Sequence, residues 1–144
     1  MKVLFPGSFD PFTKGHADIV NRTLQFVDHV VIGIGVHPNK KGMYSPEERK
    51  EEIENIYKDN PKVSVEIYEG MTTAFAQKLG INVIVRGVRN TVDFEYEKNI
   101  ADINRHLTGI ETILLISDPQ MSSISSSVVR ELKSYGIDTS ELMP

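Results

Sequence analysis

Apolar runs of strand length alternate with stretches of helical periodicity along the chain, and their order predicts the fold. Val3-Leu4-Phe5 is a short buried-type strand that stops at Pro6-Gly7. Beyond Gly15, the positions His16, Ile19, Val20, Thr23, Leu24 and Val27 fall at spacings of three and four, a helical face able to pack on a sheet. His29 to Val36 is almost continuously apolar and carries two glycines, as expected of a parallel strand covered on both faces; Gly33 and Gly35 read as points of close approach to a neighbouring helix. Ser45-Pro46-Glu47-Glu48 starts a helix, with Ser45 as N-cap, Pro46 at the first helical position and Glu48 closing a capping box, and Ile53, Ile56 and Tyr57 are expected to turn inward. Val63 to Tyr68 alternates, which suits a strand near a sheet edge. Thr72 to Leu79 is a short helix stopped by Gly80, and Asn82 to Val85 is a fourth strand. A helix over roughly Asp93 to Leu107, with Phe94, Tyr96, Ile100, Ile103 and Leu107 as its apolar positions, ends at Gly109. Thr112 to Ile116 is a fifth strand. After the loop at Ser117 to Ser123, a helix capped by Ser125 or Ser126 runs through Val128, Val129 and Leu132 to Gly136, with a last short helix from Asp138.

Five strand-then-helix units in succession imply right-handed crossovers and an α/β, Rossmann-like fold: an open five-stranded parallel sheet with helices on both faces. Ligands bind such sheets beyond the carboxyl ends of the strands. The loops at those ends carry Ser8 and His16, then His37 and Lys40, then Thr72, then Arg86 and Arg89, then Ser125 to Ser127, so cations and hydroxyls converge at one end. Two arginines, a lysine, a histidine and helix N-termini make an anion site with more positive character than one phosphate needs. A triphosphate and a second phosphorylated substrate fit that surplus. No serine has an evident histidine and carboxylate behind it, which favours direct in-line transfer by positioning and charge stabilisation over a covalent intermediate.

Composition narrows the field. The 144 residues, 40% of them hydrophobic, suffice for one domain spanning 1–144 with one sizeable core. There is no cysteine, so no thiolate nucleophile or disulfide framework. The net charge of −4 argues against a nucleic-acid surface. No apolar run approaches the roughly 20 residues that cross a bilayer, and the expectation is a cytoplasmic protein without membrane partners. Gly33-x-Gly35 opens no helix, which makes a dinucleotide oxidoreductase the weakest of the alternatives.

Three blocks in order carry a resemblance. Gly7-Ser8-Phe9-Asp10-Pro11 with Thr13-Lys14-Gly15-His16, then Arg86-Gly87-Val88-Arg89 with Asp93-Phe94-Glu95-Tyr96-Glu97, then Ile124-Ser125-Ser126-Ser127 with Arg130-Glu131, resemble nucleotidyltransferases with an H/T-x-G-H motif, in particular the bacterial phosphopantetheine adenylyltransferases. The resemblance implies adenylyl transfer from ATP to 4′-phosphopantetheine, giving dephospho-coenzyme A and pyrophosphate. It implies His16 on the α-phosphate, and His16, Lys40 and Arg89 as the catalytic set. It places Ser8 and Lys40 on the attacking phosphate and Thr72 and Arg86 on phosphopantetheine. ATP falls to Ser8, Phe9, His16, Gly87, Val88, Arg89, Glu97 and the loop Met121, Ser122, Ser123, Ile124, Ser125, Ser126 and Ser127. Magnesium entering with ATP, a homohexamer and feedback by coenzyme A are implied with it. Thr13 stands for the first histidine of the wider superfamily, the loop at Met121 and Ser123 lacks the aromatic residues many members place there, and the sequence stops at Pro144, before their final helix. The competing functions are a sister nucleotidyltransferase acting on nicotinamide mononucleotide or glycerol phosphate, and a non-catalytic nucleotide-binding module.

Overall fold

The computed structural model describes residues 1–144. Its strands are β1 (Lys2–Gly7), β2 (His29–Val36), β3 (Val63–Glu69), β4 (Val83–Val88) and β5 (Glu111–Ile116). The helices are α1 (Lys14–Thr23), α2 (Pro46–Ile56), α3 (Thr72–Lys78), α4 (Thr91–Thr108) and α5 (Ser126–Ser134), followed by a 3₁₀ turn at Ser140–Leu142. All strands are parallel, in the order β3-β2-β1-β4-β5. The chain therefore leaves β3 at one edge, passes β2 and β1, and resumes at β4. The direction of winding reverses between β1 and β4, the crevice where open α/β sheets bind ligands.

Alternation along β1 explains the two cores. Val3 and Phe5 point to one face with Val30, Ile32 and Ile34 of β2, where Ile19, Val20 and Ile53 of α1 and α2 cover them. Leu4 points to the other face with Val31, Ile84 and Ile110, packed by Ala76 and Phe75 of α3. Gly33 and Gly35 lie on that second face. The group nearest them is not a helix, as the periodicity suggested, but chiefly Tyr68 of the edge strand β3: a Cβ on Gly33 would meet Leu4 Cδ1 at 3.0 Å and Tyr68 Cε1 at 3.2 Å, with Phe75 of α3 behind at 3.5 Å. Tyr68 stacks flat on Phe75, ring centroids 4.5 Å apart. Gly33→Val is expected to cost about 1–3 kcal/mol by overpacking, measured as a fall in the urea midpoint at unchanged m-value; an unchanged midpoint would show that this face is loosely packed.

Two expectations about inward faces need correction. Ile53 is fully buried and Tyr57 half-buried, but Ile56 is exposed, because α2 ends there and turns its last residue off the sheet. The apolar positions of α4 do not face this chain's core: Tyr96 is 64% exposed, Ile103 54% and Leu107 66%, and the one buried residue of the helix is Glu97. Helix α4 is amphipathic in reverse, with an ionisable group inside and an apolar stripe outside. No helix is long and apolar enough to cross a membrane.

Candidate active site

At the carboxyl end of β1 the chain must turn into α1 within a few residues, and aromatic packing shapes that turn. Phe9 folds its ring over Gly7, where a Cβ would lie 2.9 Å from the ring. Its backbone takes φ 49°, a left-handed conformation that costs a non-glycine residue about 1–3 kcal/mol and persists only where the surroundings impose it. The surroundings are side chains that donate to the loop's carbonyls. Arg86 Nη1 donates to Pro6 O at 2.5 Å, Arg49 Nη1 to Ser8 O at 3.0 Å, Arg130 Nη1 to Asp10 O at 2.7 Å and Ser126 Oγ to Pro11 O at 2.8 Å. Elements β4, α2 and α5 thus hold the end of β1 and the irregular backbone after it, where the carbonyls of Ser8, Asp10 and Pro11 have no regular ladder to satisfy them.

His16 sits at the third position of α1, and its ring closes a capping box in the place usually held by a glutamate. The Thr13 backbone N–H donates to His16 Nδ1 at 2.9 Å. A proton on Nδ1 would face that N–H, so the neutral ring carries its proton on Nε2. The rings of Phe9 and Phe12 pack around the imidazole, with centroids at 5.0 and 5.4 Å. Burial, and then the charges of Arg86 and Arg89, lower the His16 pKa from 6.5 to about 3. The side chain is therefore a neutral, fixed donor from Nε2 rather than a base.

Between these two values the unfolded chain takes up a proton that the folded chain refuses, so the stability His16 contributes is full above pH 6.5 and is lost as pH falls toward 3. In ¹⁵N NMR of the ligand-free protein, His16 is expected to stay an Nε2–H tautomer from pH 8 down to the acid limit of folding. A titration midpoint near the ordinary histidine value would refute this.

Two cavities open at the crevice. The first, of about 380 Å³, is lined by Ser8, Phe9, Gly15, His16, Arg86, Gly87, Arg89, Glu97, Met121 and Ile124 to Ser127 among others. Helices α1, α4 and α5 start around it, capped by Thr13, Asn90 and Ser125; Ser125 Oγ accepts from Val128 N at 3.2 Å. Their remaining first-turn amides suit phosphate oxygens. The second cavity, of about 490 Å³, lies on the other side of Arg86. Thr72, His37, Tyr68, Met71, Ile84 and Ile100 line it. Pro6, Gly7, Ser8, Arg86, Tyr96 and Glu97 border both.

Arg86 is clamped where the cavities meet. Its Nε donates to Glu97 Oε2 at 3.0 Å and its Nη2 to Oε1 at 2.7 Å, a bidentate pair that accounts for the buried glutamate of α4. Arg89 lines the first cavity only and is held by Asp93 Oδ2, which accepts from its Nε at 3.0 Å and its backbone N–H at 3.2 Å. Thr72 Oγ1 and the Tyr68 hydroxyl are hydrogen-bonded at 2.8 Å.

The motif residues are not all brought together. Val88 is buried in the core beneath the site, Ser122 donates to Pro119 O in its own loop, and neither they nor Ser123 line the two cavities. Lys40 lines a third, open cleft that adjoins the other two at Ser8. Sequence reasoning missed Asp10 and Arg49, buried together beneath Ser8, and it treated Arg86 and Glu97 as separate ligands when they are partners. One signal for Arg49 was present: it stands four residues before Ile53 and so shares the inward face of α2.

The cytidylyltransferase-like family model matches residues 4–132. A phosphopantetheine adenylyltransferase of Bacteroides thetaiotaomicron is 51% identical over 143 residues, 99% of this chain and 95% of that one. The chain belongs to the phosphopantetheine adenylyltransferase family. A second member, from Porphyromonas gingivalis, is 49% identical over 98% of this chain and 92% of its own length. A solved structure of a bifunctional NMN adenylyltransferase/ADP ribose pyrophosphatase from Francisella tularensis, complexed with AMP and a manganese ion, aligns with 99% of this chain at TM-score 0.69 and 21% identity. This chain spans 44% of that protein's length, and the likeness is one of fold. Membership in the family makes the chain a nucleotidyltransferase.

Proposed function

We propose that the protein transfers the adenylyl group of ATP to 4′-phosphopantetheine in the cytoplasm, releasing pyrophosphate and forming dephospho-coenzyme A for coenzyme A biosynthesis. The observation that carries this reading is the pair of cavities meeting at Ser8 and Arg86, with the neutral His16 on the wall of the first. ATP takes the first cavity, its phosphates against Arg89, His16 and the helix starts. The acceptor takes the second, whose apolar wall of Tyr68, Met71, Ile84 and Ile100 suits a flexible pantetheine arm.

The phosphate of the acceptor, at the Ser8 rim, attacks the α-phosphorus. A bond forms from its oxygen to phosphorus, the α–β bridging bond breaks, and pyrophosphate leaves with the electron pair. His16 donates from Nε2 to an oxygen of the transferring phosphoryl group as charge develops there, without giving up its proton. Lys40, a point charge on the adjoining loop, meets the acceptor phosphate from the third cleft.

Among the side chains, no group of three suited to caging a metal occurs, and both carboxylates of the first cavity are engaged by arginine. A magnesium ion entering with ATP would need few ligands from these side chains and would supply neutralisation of the phosphate charge. The chain assembles as a homohexamer; the exposed apolar stripe on α4 supports contact between copies, though not their number. Coenzyme A, which carries the same arm, competes for the acceptor cavity as a feedback inhibitor.

The test is pyrophosphate release with ATP, magnesium and a panel of phosphorylated acceptors. Preference for nicotinamide mononucleotide or glycerol phosphate would establish a sister transferase, and ATP binding without release would establish a binding module.

A further inference from the structure

The segment from His37 to Ser45 carries Lys40, and a buried ion pair fastens its far end. Asp10 is 6% exposed and Arg49 7%. Asp10 Oδ2 accepts from Met43 N at 2.8 Å and Oδ1 from Tyr44 N at 2.9 Å, so one carboxylate clips two consecutive amides of the segment onto the β1–α1 loop. Arg49 Nε stands 3.6 Å from Asp10 Oδ1 and donates to Tyr44 O at 2.9 Å; its Nη1 donates to Ser8 O at 3.0 Å. Gly42 lies flat on the pair: a Cβ there would be 2.7 Å from Asp10 Oδ2 and would collide with Arg49 Nη2.

One guanidinium thus holds Ser8 by its carbonyl and, through Tyr44, the segment that carries Lys40. We propose that Arg49, together with Asp10, is a positioning residue for the acceptor phosphate, fixing the separation between Ser8 and the Lys40 segment. A buried ion pair adds little net stability over well-packed apolar side chains, and the groups this one holds belong to the site. The proposal rests on the reading that Ser8 and Lys40 receive that phosphate.

The test is steady-state kinetics with ATP and acceptor varied separately, each variant assayed well below its own Tm. Arg49→Met is expected to lower kcat/KM for the acceptor about ten- to a hundredfold, the scale of a misplacement near 1 Å, while KM for ATP stays within about threefold. Arg49→Lys, which keeps the charge beside Asp10 but cannot reach both carbonyls, recovers Tm without recovering the acceptor constant. Gly42→Ala leaves both charges in place and displaces the segment from its own side; it reproduces the acceptor defect and carries the test if Arg49→Met does not fold. Wild-type acceptor constants in these folded variants, or equal losses for both substrates, would overturn the proposal. Wild-type turnover on the acceptor panel tests the functional reading by itself. If another phosphorylated acceptor is used there, the same comparison applies to it.

Discussion

His16→Ala is expected to lower turnover about 100- to 1,000-fold, the scale of removing one preorganised donor from a site where charge develops, while ATP affinity changes little. The expectation rests on the fixed proton. Because the Thr13 amide occupies Nδ1, the ring presents Nε2–H without a rotation or a proton transfer beforehand, and its depressed pKa keeps it neutral across the working pH range. The wild-type pH profile should therefore show no limb near 6.5 that disappears in His16→Ala. His16→Gln, which can present an N–H near the same place, should recover part of the loss. Near-wild-type turnover in the alanine variant, measured as pyrophosphate release under saturating substrates, would remove His16 from the mechanism.

Arg86→Ala is the second large effect, and it should appear in stability and binding together. Glu97 is 7% exposed and accepts two hydrogen bonds from Arg86; without them its charge is left without a partner on the inner side of α4. Stripping one partner from a buried pair costs about 3–5 kcal/mol, and the lower end applies because Arg86 is itself one-third exposed at the cavity rim. The Pro6 carbonyl also loses its donor. Since Arg86 borders both cavities, calorimetry should find ATP and acceptor weakened together, whereas Arg89→Ala should weaken ATP alone. Arg86→Met combined with Glu97→Leu should recover most of the urea stability and none of the turnover. A single-variant cost below about 1 kcal/mol would show that the pair is solvated and contributes little.

Fold and site were legible in the sequence to different depths. The apolar runs of β1 and β2 and the 3.6-residue period of α1 reflect burial within this one chain, and there the expected elements stand where the structure has them, as does the Ser45 cap of α2. The periodicity of α4 is as strong, but it describes a face this chain leaves exposed, and no pattern in one sequence says which surface will cover an apolar stripe. The hydroxyls and cations of the loops were legible because they sit at motif spacings. Their partners were not. The pairing of Arg86 with Glu97 and the seat of Asp10 on Arg49 join residues 11 and 39 apart, and only the crossovers of the sheet bring them together. Similarly, Lys40 and Arg86 were expected to converge at one end of the sheet, yet the bend after β2 carries Lys40 to an adjoining cleft.

The four carbonyls held at the end of β1 and in the loop after it have a bearing on how the site comes into being during synthesis. Their donors lie 41, 80, 115 and 120 residues further along. At about 5–20 residues per second, the loop leaves the ribosome roughly 6 to 24 seconds before the helix that carries Arg130 and Ser126. For that interval the strained backbone at Phe9 lacks the donors that hold it, and the nascent chain can build α1 and β2 on a nucleus of local apolar contacts without yet having an anion site. On the reading proposed above, Ser125 to Ser127 of the last helix start complete the nucleotide cavity, so ATP stabilises the chain with that helix docked over its precursors.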